Sequence, residues 1–277
     1  MDIKKQVRTF GGTLTFWSHD SDVTKTPMAF STFVPDDVVR KKAPGLVWLS
    51  GLTCTEENFV VKAGALRDAA SRGLVLICPD TSPRGLDLPG EHDHWDFGSG
   101  AGFYINATQS PWKDHYRMED YVVNELIEKV AAKIPVDAGK LGIFGHSMGG
   151  YGALALGMKY PKKFRSISAF SPICSPINCP WGQKAFGHYL GQDQAGWVQH
   201  DPCELIKSSG YRGKILVDQG MADDFLGEQL KPELLEEAAK SSEIEVIMRR
   251  HKGYDHSYYF IATFVSDHLA FHHEVLA

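Results

Sequence analysis

Gly145-His146-Ser147-Met148-Gly149 places a serine between two glycines. The apolar run Leu141-Gly142-Ile143-Phe144 leads into it, and Gly150-Tyr151-Gly152-Ala153-Leu154-Ala155-Leu156, a helix-forming run, leads out. G-x-S-x-G between a strand and a helix is the pattern of a nucleophile elbow, where small neighbours let the backbone take a strained turn that lifts the hydroxyl clear of a sheet. A serine hydroxyl is a weak nucleophile at neutral pH. It needs an adjacent base, itself oriented by a third group.

On such a scaffold the order along the chain is serine, acid, histidine. The strand-like Ile215-Leu216-Val217 runs into a loop holding Asp218, Asp223 and Asp224. Asp218, at the strand terminus, reads as a structural hydrogen-bond acceptor, whereas Asp223 and Asp224 lie where a triad acid belongs, and residue mechanics alone leave these two tied. Of twelve histidines, His256 stands between the last strand, Ile244 to Met248, and the last helix, which is where the base is expected. His268, His272 and His273 read as surface or packing residues of that helix. His146 is expected to point away from Ser147, because adjacent residues diverge at a sharp turn.

A tetrahedral intermediate also needs donors for its oxyanion, and loss of one donor costs roughly a hundredfold or more in rate. The backbone N–H of Met148, directly after the nucleophile, is the first candidate. Leu46 to Ser50 running into Gly51-Leu52 supplies the second, with Gly51 permitting the turn and Leu52 N–H donating.

Taken together, these segments resemble the S-formylglutathione hydrolases, the esterase D family. The resemblance is carried by Ser50-Gly51-Leu52-Thr53-Cys54-Thr55-Glu56-Glu57-Asn58-Phe59, Pro79-Asp80-Thr81-Ser82-Pro83-Arg84-Gly85 and Gly145 to Gly150. It continues through Asp218-Gln219-Gly220 with Asp223 and Phe225-Leu226, and ends in Gly253-Tyr254-Asp255-His256-Ser257-Tyr258-Tyr259-Phe260-Ile261-Ala262. Position by position, it implies Ser147, Asp223 and His256 as the triad, with Leu52 and Met148 as oxyanion donors. Asp223 is preferred over Asp224 on this ground. The Met221-Ala222 pair, more apolar than expected there, leaves the packing of that loop open.

The resemblance implies an α/β-hydrolase fold, a mostly parallel central sheet with helices on both faces, over residues 1–277 as one domain. It implies cleavage of the thioester S-formylglutathione to glutathione and formate, a step of formaldehyde detoxification, with small activated esters as further substrates and no cofactor. A short-chain carboxylesterase without glutathione preference and a non-catalytic binding scaffold on the same fold are the alternatives. Trp181 and Phe225 are candidates for a pocket that excludes larger acyl groups by bulk. Cys54, two residues beyond Leu52, is expected near the mouth of the site as a thiol whose modification blocks substrate. Lys62 reads as a solvated helix lysine and receives no role.

The elements that must position these groups are legible from patterning. Thr13 to Trp17 and Met28 to Val34 alternate like early antiparallel strands. Leu46–Leu49, Leu74–Ile77, Leu141–Phe144, Ser166–Phe170, Ile215–Val217 and Ile244–Met248 read as buried strands of a parallel sheet. Met118 to Lys133 has helical spacing and ends before Pro135. The stretch from Pro83 to Tyr116 is longer than an ordinary connection and is expected to pack over the site.

With 277 residues, 43% of them hydrophobic, the chain can bury one large core. A net charge of −5, with no basic stripe, argues against a nucleic-acid partner. No run reaches the eighteen or so apolar residues of a membrane span, and the start lacks the apolar stretch of a signal peptide. Cys54, Cys78, Cys174, Cys179 and Cys203 show no C-x-x-C spacing, which suits reduced thiols and a cytoplasmic protein. His92-Asp93-His94-Trp95-Asp96 suits a polar loop as well as a metal cluster, and no metal is expected. A small-molecule substrate is the expected partner, and related hydrolases suggest a homodimer.

Overall fold

The computed structural model describes residues 1–38 and 41–277. Among these residues nine strands form one sheet: β1 (Asp2–Thr9), β2 (Gly12–Asp20), β3 (Pro27–Pro35), β4 (Ala43–Leu49), β5 (Val75–Pro79), β6 (Val136–His146), β7 (Phe164–Phe170), β8 (Ile215–Gly220) and β9 (Val246–His251). Their order is β1-β2-β3-β5-β4-β6-β7-β8-β9. β1, β2 and β3 pair antiparallel, as does β3 with β5, and every pairing from β5 through β9 is parallel.

Both faces of the parallel part are covered, so its strands read as continuous apolar runs, yet successive side chains still alternate between faces. In β4, Val47 and Leu49 join one core cluster while Leu46 and Trp48 join the other. The smaller cluster lies under the helices Asn58–Lys62, Leu66–Arg72 and Tyr258–Leu276. Trp48 anchors it, stacked on Phe59 at 3.9 Å between ring centroids and edge-on to Phe144 at 4.8 Å. Burying an aromatic of this size contributes about 1.5–3 kcal/mol. The larger cluster takes the helices Met148–Lys159, Pro180–Tyr189, Pro202–Ser208 and Pro232–Ala239.

The expected helix from Met118 to Lys133 is present as one run whose middle, Tyr121–Leu126, is π-helical. It stops where Ile134 turns extended (φ −117°, ψ 143°), the conformation a following proline enforces. β1 was not legible. Its residues are almost all exposed, so it lacks the alternation that betrays a half-buried strand, and its lysines and arginine suit a sheet edge.

Of the C-terminal histidines, read as surface or packing residues, two are packing residues. His268 and His272 are fully buried, linked through Ser168 Oγ (2.8 Å to His268 Nδ1 and 2.8 Å to His272 Nε2), with His272 Nδ1 2.7 Å from Ser166 Oγ. The serines of β7 face this helix and give the imidazoles polar partners inside the core, which periodicity alone does not reveal.

Candidate active site

The ends of β4, β6 and β8 and the loop after β9 converge at the carboxyl edge of the sheet, where open α/β folds place ligands. Ser147 follows β6 with φ 58° and ψ −120°, a region costly for a residue with a side chain. Its N–H donates to Phe170 O at 3.0 Å, and its carbonyl accepts from Tyr151 N at 2.9 Å, so strand and helix hold the strained residue from both sides. Gly149 explains the motif's second glycine. A β-carbon there would stand 2.0 Å from Leu49 O and 2.6 Å from Ser50 O, so the first turn of the helix can lie against β4 only without one.

Asp223 and His256 meet across two loops. His256 Nδ1 lies 2.5 Å from Asp223 Oδ2, and the carboxylate is fully shielded from solvent. Asp223 Oδ1 accepts from Phe225 N at 2.9 Å. Asp224 is exposed. Met221 N donates to His251 O at 3.0 Å and Ala222 N to Tyr254 O at 2.8 Å, so main-chain bonds tie the acid loop to the base loop. The side chains of Met221 and Ala222 point to solvent, and their apolar character leaves this packing undisturbed. Asp218 sits behind, buried and paired with Arg249 at 2.6 Å by both carboxylate oxygens. Burial opposes its ionisation, but hydrogen bonds from His268 and Arg249 outweigh that and hold its carboxyl well below the usual range.

A cavity of about 230 Å³ connects these groups. Ser147, His256, Gly51, Leu52, Cys54 and Phe225 line it, with Trp181 and Trp95 on the far wall. Among the described residues no hydrogen bond joins the Ser147 hydroxyl to His256. Such bonds commonly tighten only when substrate binds. Gly51 lies against the serine, since a β-carbon at Gly51 would be 3.2 Å from Ser147 Cβ. The amides of Leu52 and Met148 have no protein acceptor among the described residues, and Met148 opens a helix whose first-turn N–H groups favour an anion.

The Asp80–Arg84 segment holds the Leu52 loop. Arg84 is clamped on Asp80 (2.7 and 3.1 Å) and donates to Cys54 O at 3.0 Å, while Thr81 Oγ1 donates to the same carbonyl at 2.6 Å. Gly100 O accepts from Thr53 N at 2.9 Å. The long stretch after Pro83 thus packs on the site, as expected, and it also delivers Trp95, edge-on to Trp181 at 5.5 Å. Trp181 in turn meets Phe225 at 4.8 Å, and Phe225 meets His256 at 5.0 Å. Nothing in the sequence marks Trp95 for the site, because in His92-Asp93-His94-Trp95-Asp96 it is flanked by polar residues that suit a solvated loop. There, His92 lies 3.2 Å from Asp87, and Asp96 binds Lys184 at 2.8 Å.

His146 does not point away. It lines the cavity beside Ser147, with its ring 4.3 Å from that of His256. The divergence of neighbours at the tip is real, but the β9 loop wraps over the strand end, so both directions lead into the same site. Burial, and then the nearby His256, push its pKa well below the ordinary value. It is a neutral ring beside the candidate base.

Comparison with known proteins places this geometry in context. A family described as "Esterase: Putative esterase" matches residues 21–271. S-formylglutathione hydrolase of Rattus norvegicus is 51% identical over 271 residues, 97% of this chain and 96% of the rat protein. The Bos taurus protein of the same name is 49% identical over the same shares of each chain. The structure of an S-formylglutathione hydrolase from Agrobacterium tumefaciens superposes with a TM-score of 0.98 at 45% identity, covering 100% of both chains.

Proposed function

The chain belongs to the esterase family and, within it, to the S-formylglutathione hydrolases, and from that premise we propose that it hydrolyses S-formylglutathione to glutathione and formate through Ser147, His256 and Asp223. The observation that carries the residue assignment is the 2.5 Å contact of His256 Nδ1 with a buried Asp223 carboxylate, in a loop whose histidine shares a cavity with Ser147. With Nδ1–H donated to the carboxylate, Nε2 is the ring's free lone pair and serves as base.

Ser147 Oγ attacks the formyl carbon as His256 Nε2 takes its proton, and Leu52 and Met148 N–H groups bind the oxyanion. The carbon–sulfur bond then breaks, and the departing glutathione sulfur takes up the proton held on His256 Nε2, so glutathione leaves as the thiol and the ring is neutral again. Water, deprotonated by His256, attacks the formyl-serine ester and releases formate, returning the proton to Ser147. A thiolate is a good leaving group, so acid assistance to its departure matters less than for an ester or amide. Trp95, Trp181 and Phe225 wall the cavity beside the triad, and their bulk is what would exclude longer acyl chains.

Measuring kcat/KM for S-formylglutathione against a nitrophenyl acetate tests the reading. The thioester is expected to exceed the ester at least tenfold, and equal constants favour a general carboxylesterase. Cys54 gives a second test. Burial raises its thiol pKa, partly offset by Tyr258, Lys62 and Arg84, so its thiolate fraction grows as pH rises and is small near neutrality. Maleimide inactivation should accelerate from pH 7 to pH 9, and Cys54→Ser should keep most activity while resisting the reagent. Inactivation that persists in Cys54→Ser places the sensitive group elsewhere.

The reading extends to residues 1–277 as one α/β-hydrolase domain, a homodimer and a cytoplasmic setting. All five cysteines are free, which accords with a reducing compartment.

A further inference from the structure

We propose that Lys62, with the aromatic shelf of Tyr258 and Tyr259, binds a carboxylate of the substrate's glutathionyl part. This rests on the S-formylglutathione reading above. The leaving half of that substrate carries two carboxylates and one ammonium group, and among the described residues the acyl cavity, walled by aromatic rings, offers those carboxylates no lysine or arginine. A second cavity of about 440 Å³ is lined by Lys62, Tyr258 and Tyr259. Tyr258 belongs to the walls of both cavities, so the second lies directly beside the acyl site.

The cations around the acyl cavity differ in how they are engaged. Arg84 is held by Asp80 at 2.7 Å and Lys184 by Asp96 at 2.8 Å. Lys62 has no carboxylate within ion-pair distance among the described residues, and its Nζ instead lies 5.6 Å from the centroid of the Tyr258 ring. Its charge is nevertheless felt inside the acyl site, where it favours ionisation of the Cys54 thiol. Tyr259 is 85% exposed, so the outer ring of the shelf faces solvent. Lys62 closes the short helix Asn58–Lys62 that follows the Leu52 loop, so one pinned segment carries both an oxyanion donor and the cation.

An ammonium at a solvent-facing site contributes modestly, through binding of substrate and transition state alike, and its effect is read in KM rather than kcat. Lys62→Ala is expected to raise KM for S-formylglutathione about threefold to fivefold and Lys62→Glu about tenfold or more, with Lys62→Arg near wild type. The ratio of kcat/KM for S-formylglutathione to that for nitrophenyl acetate, which has no carboxylate, should fall by the same factors. The deficit of Lys62→Ala should shrink as salt is raised, because the exposed attraction is screened in the wild type. An unchanged ratio in Lys62→Glu, or equal losses on both substrates, overturns the subsite. A wild-type protein that leaves S-formylglutathione uncleaved instead defeats the functional reading itself, a result distinguishable before any variant is made.

Discussion

Ser147→Ala should lower kcat for S-formylglutathione by about 10⁵-fold to 10⁶-fold, the scale on which removal of an acyl-transfer nucleophile acts. That factor corresponds to about 7–8 kcal/mol of lost barrier reduction. The fold should hardly notice. The hydroxyl makes no hydrogen bond among the described residues, and the main-chain bonds of residue 147 to Phe170 and Tyr151 do not involve it. Alanine keeps the β-carbon, so the strain at φ 58° is unchanged. Single-turnover kinetics and fluorophosphonate labelling, with thermal unfolding as control, read the result together. A variant that keeps its melting temperature yet retains more than a tenth of the rate would remove Ser147 from the chemistry.

Asp223→Asn is expected to cost about 10⁴-fold in kcat. The amide can still accept from Phe225 N through its oxygen, so the loop keeps its turn. What changes is the face toward His256, where an NH₂ group that donates to Nδ1 selects the tautomer with the proton on Nε2, and the base then has no lone pair for Ser147. The cation formed during attack also loses its buried counter-charge. Asp224→Asn, one position on and exposed, is the matched control and should alter kcat less than twofold. Comparable losses in both variants would mean that the loop as a whole, rather than one carboxylate, supports catalysis.

That pair of aspartates marks a limit of reading residues in order. Position along the chain leaves Asp223 and Asp224 equivalent, because both follow a strand and both suit a turn. Only the fold buries one against His256 and turns the other to water. His146 shows the converse, where a sound local rule about diverging neighbours gave the wrong direction because a loop more than a hundred residues later closes over the strand end. Asp218 has the structural role expected of it, although it lies inside β8 rather than at its end, where it faces Arg249 of the adjacent strand.

What the chain determined locally was the elbow, the parallel strands and the order of serine, acid and histidine. Glycines that permit close approach, apolar runs that must be covered on both faces, and a proline that ends a helix each act within a few residues of where they stand. What the tertiary structure decided was which loops share one cavity: Trp95 over the acyl pocket, Arg84 and Gly100 under the Leu52 loop, and Lys62 beside Tyr258. Those contacts join segments distant in sequence, and their geometry follows from how the sheet edges and helices pack rather than from any property of the residues taken one by one.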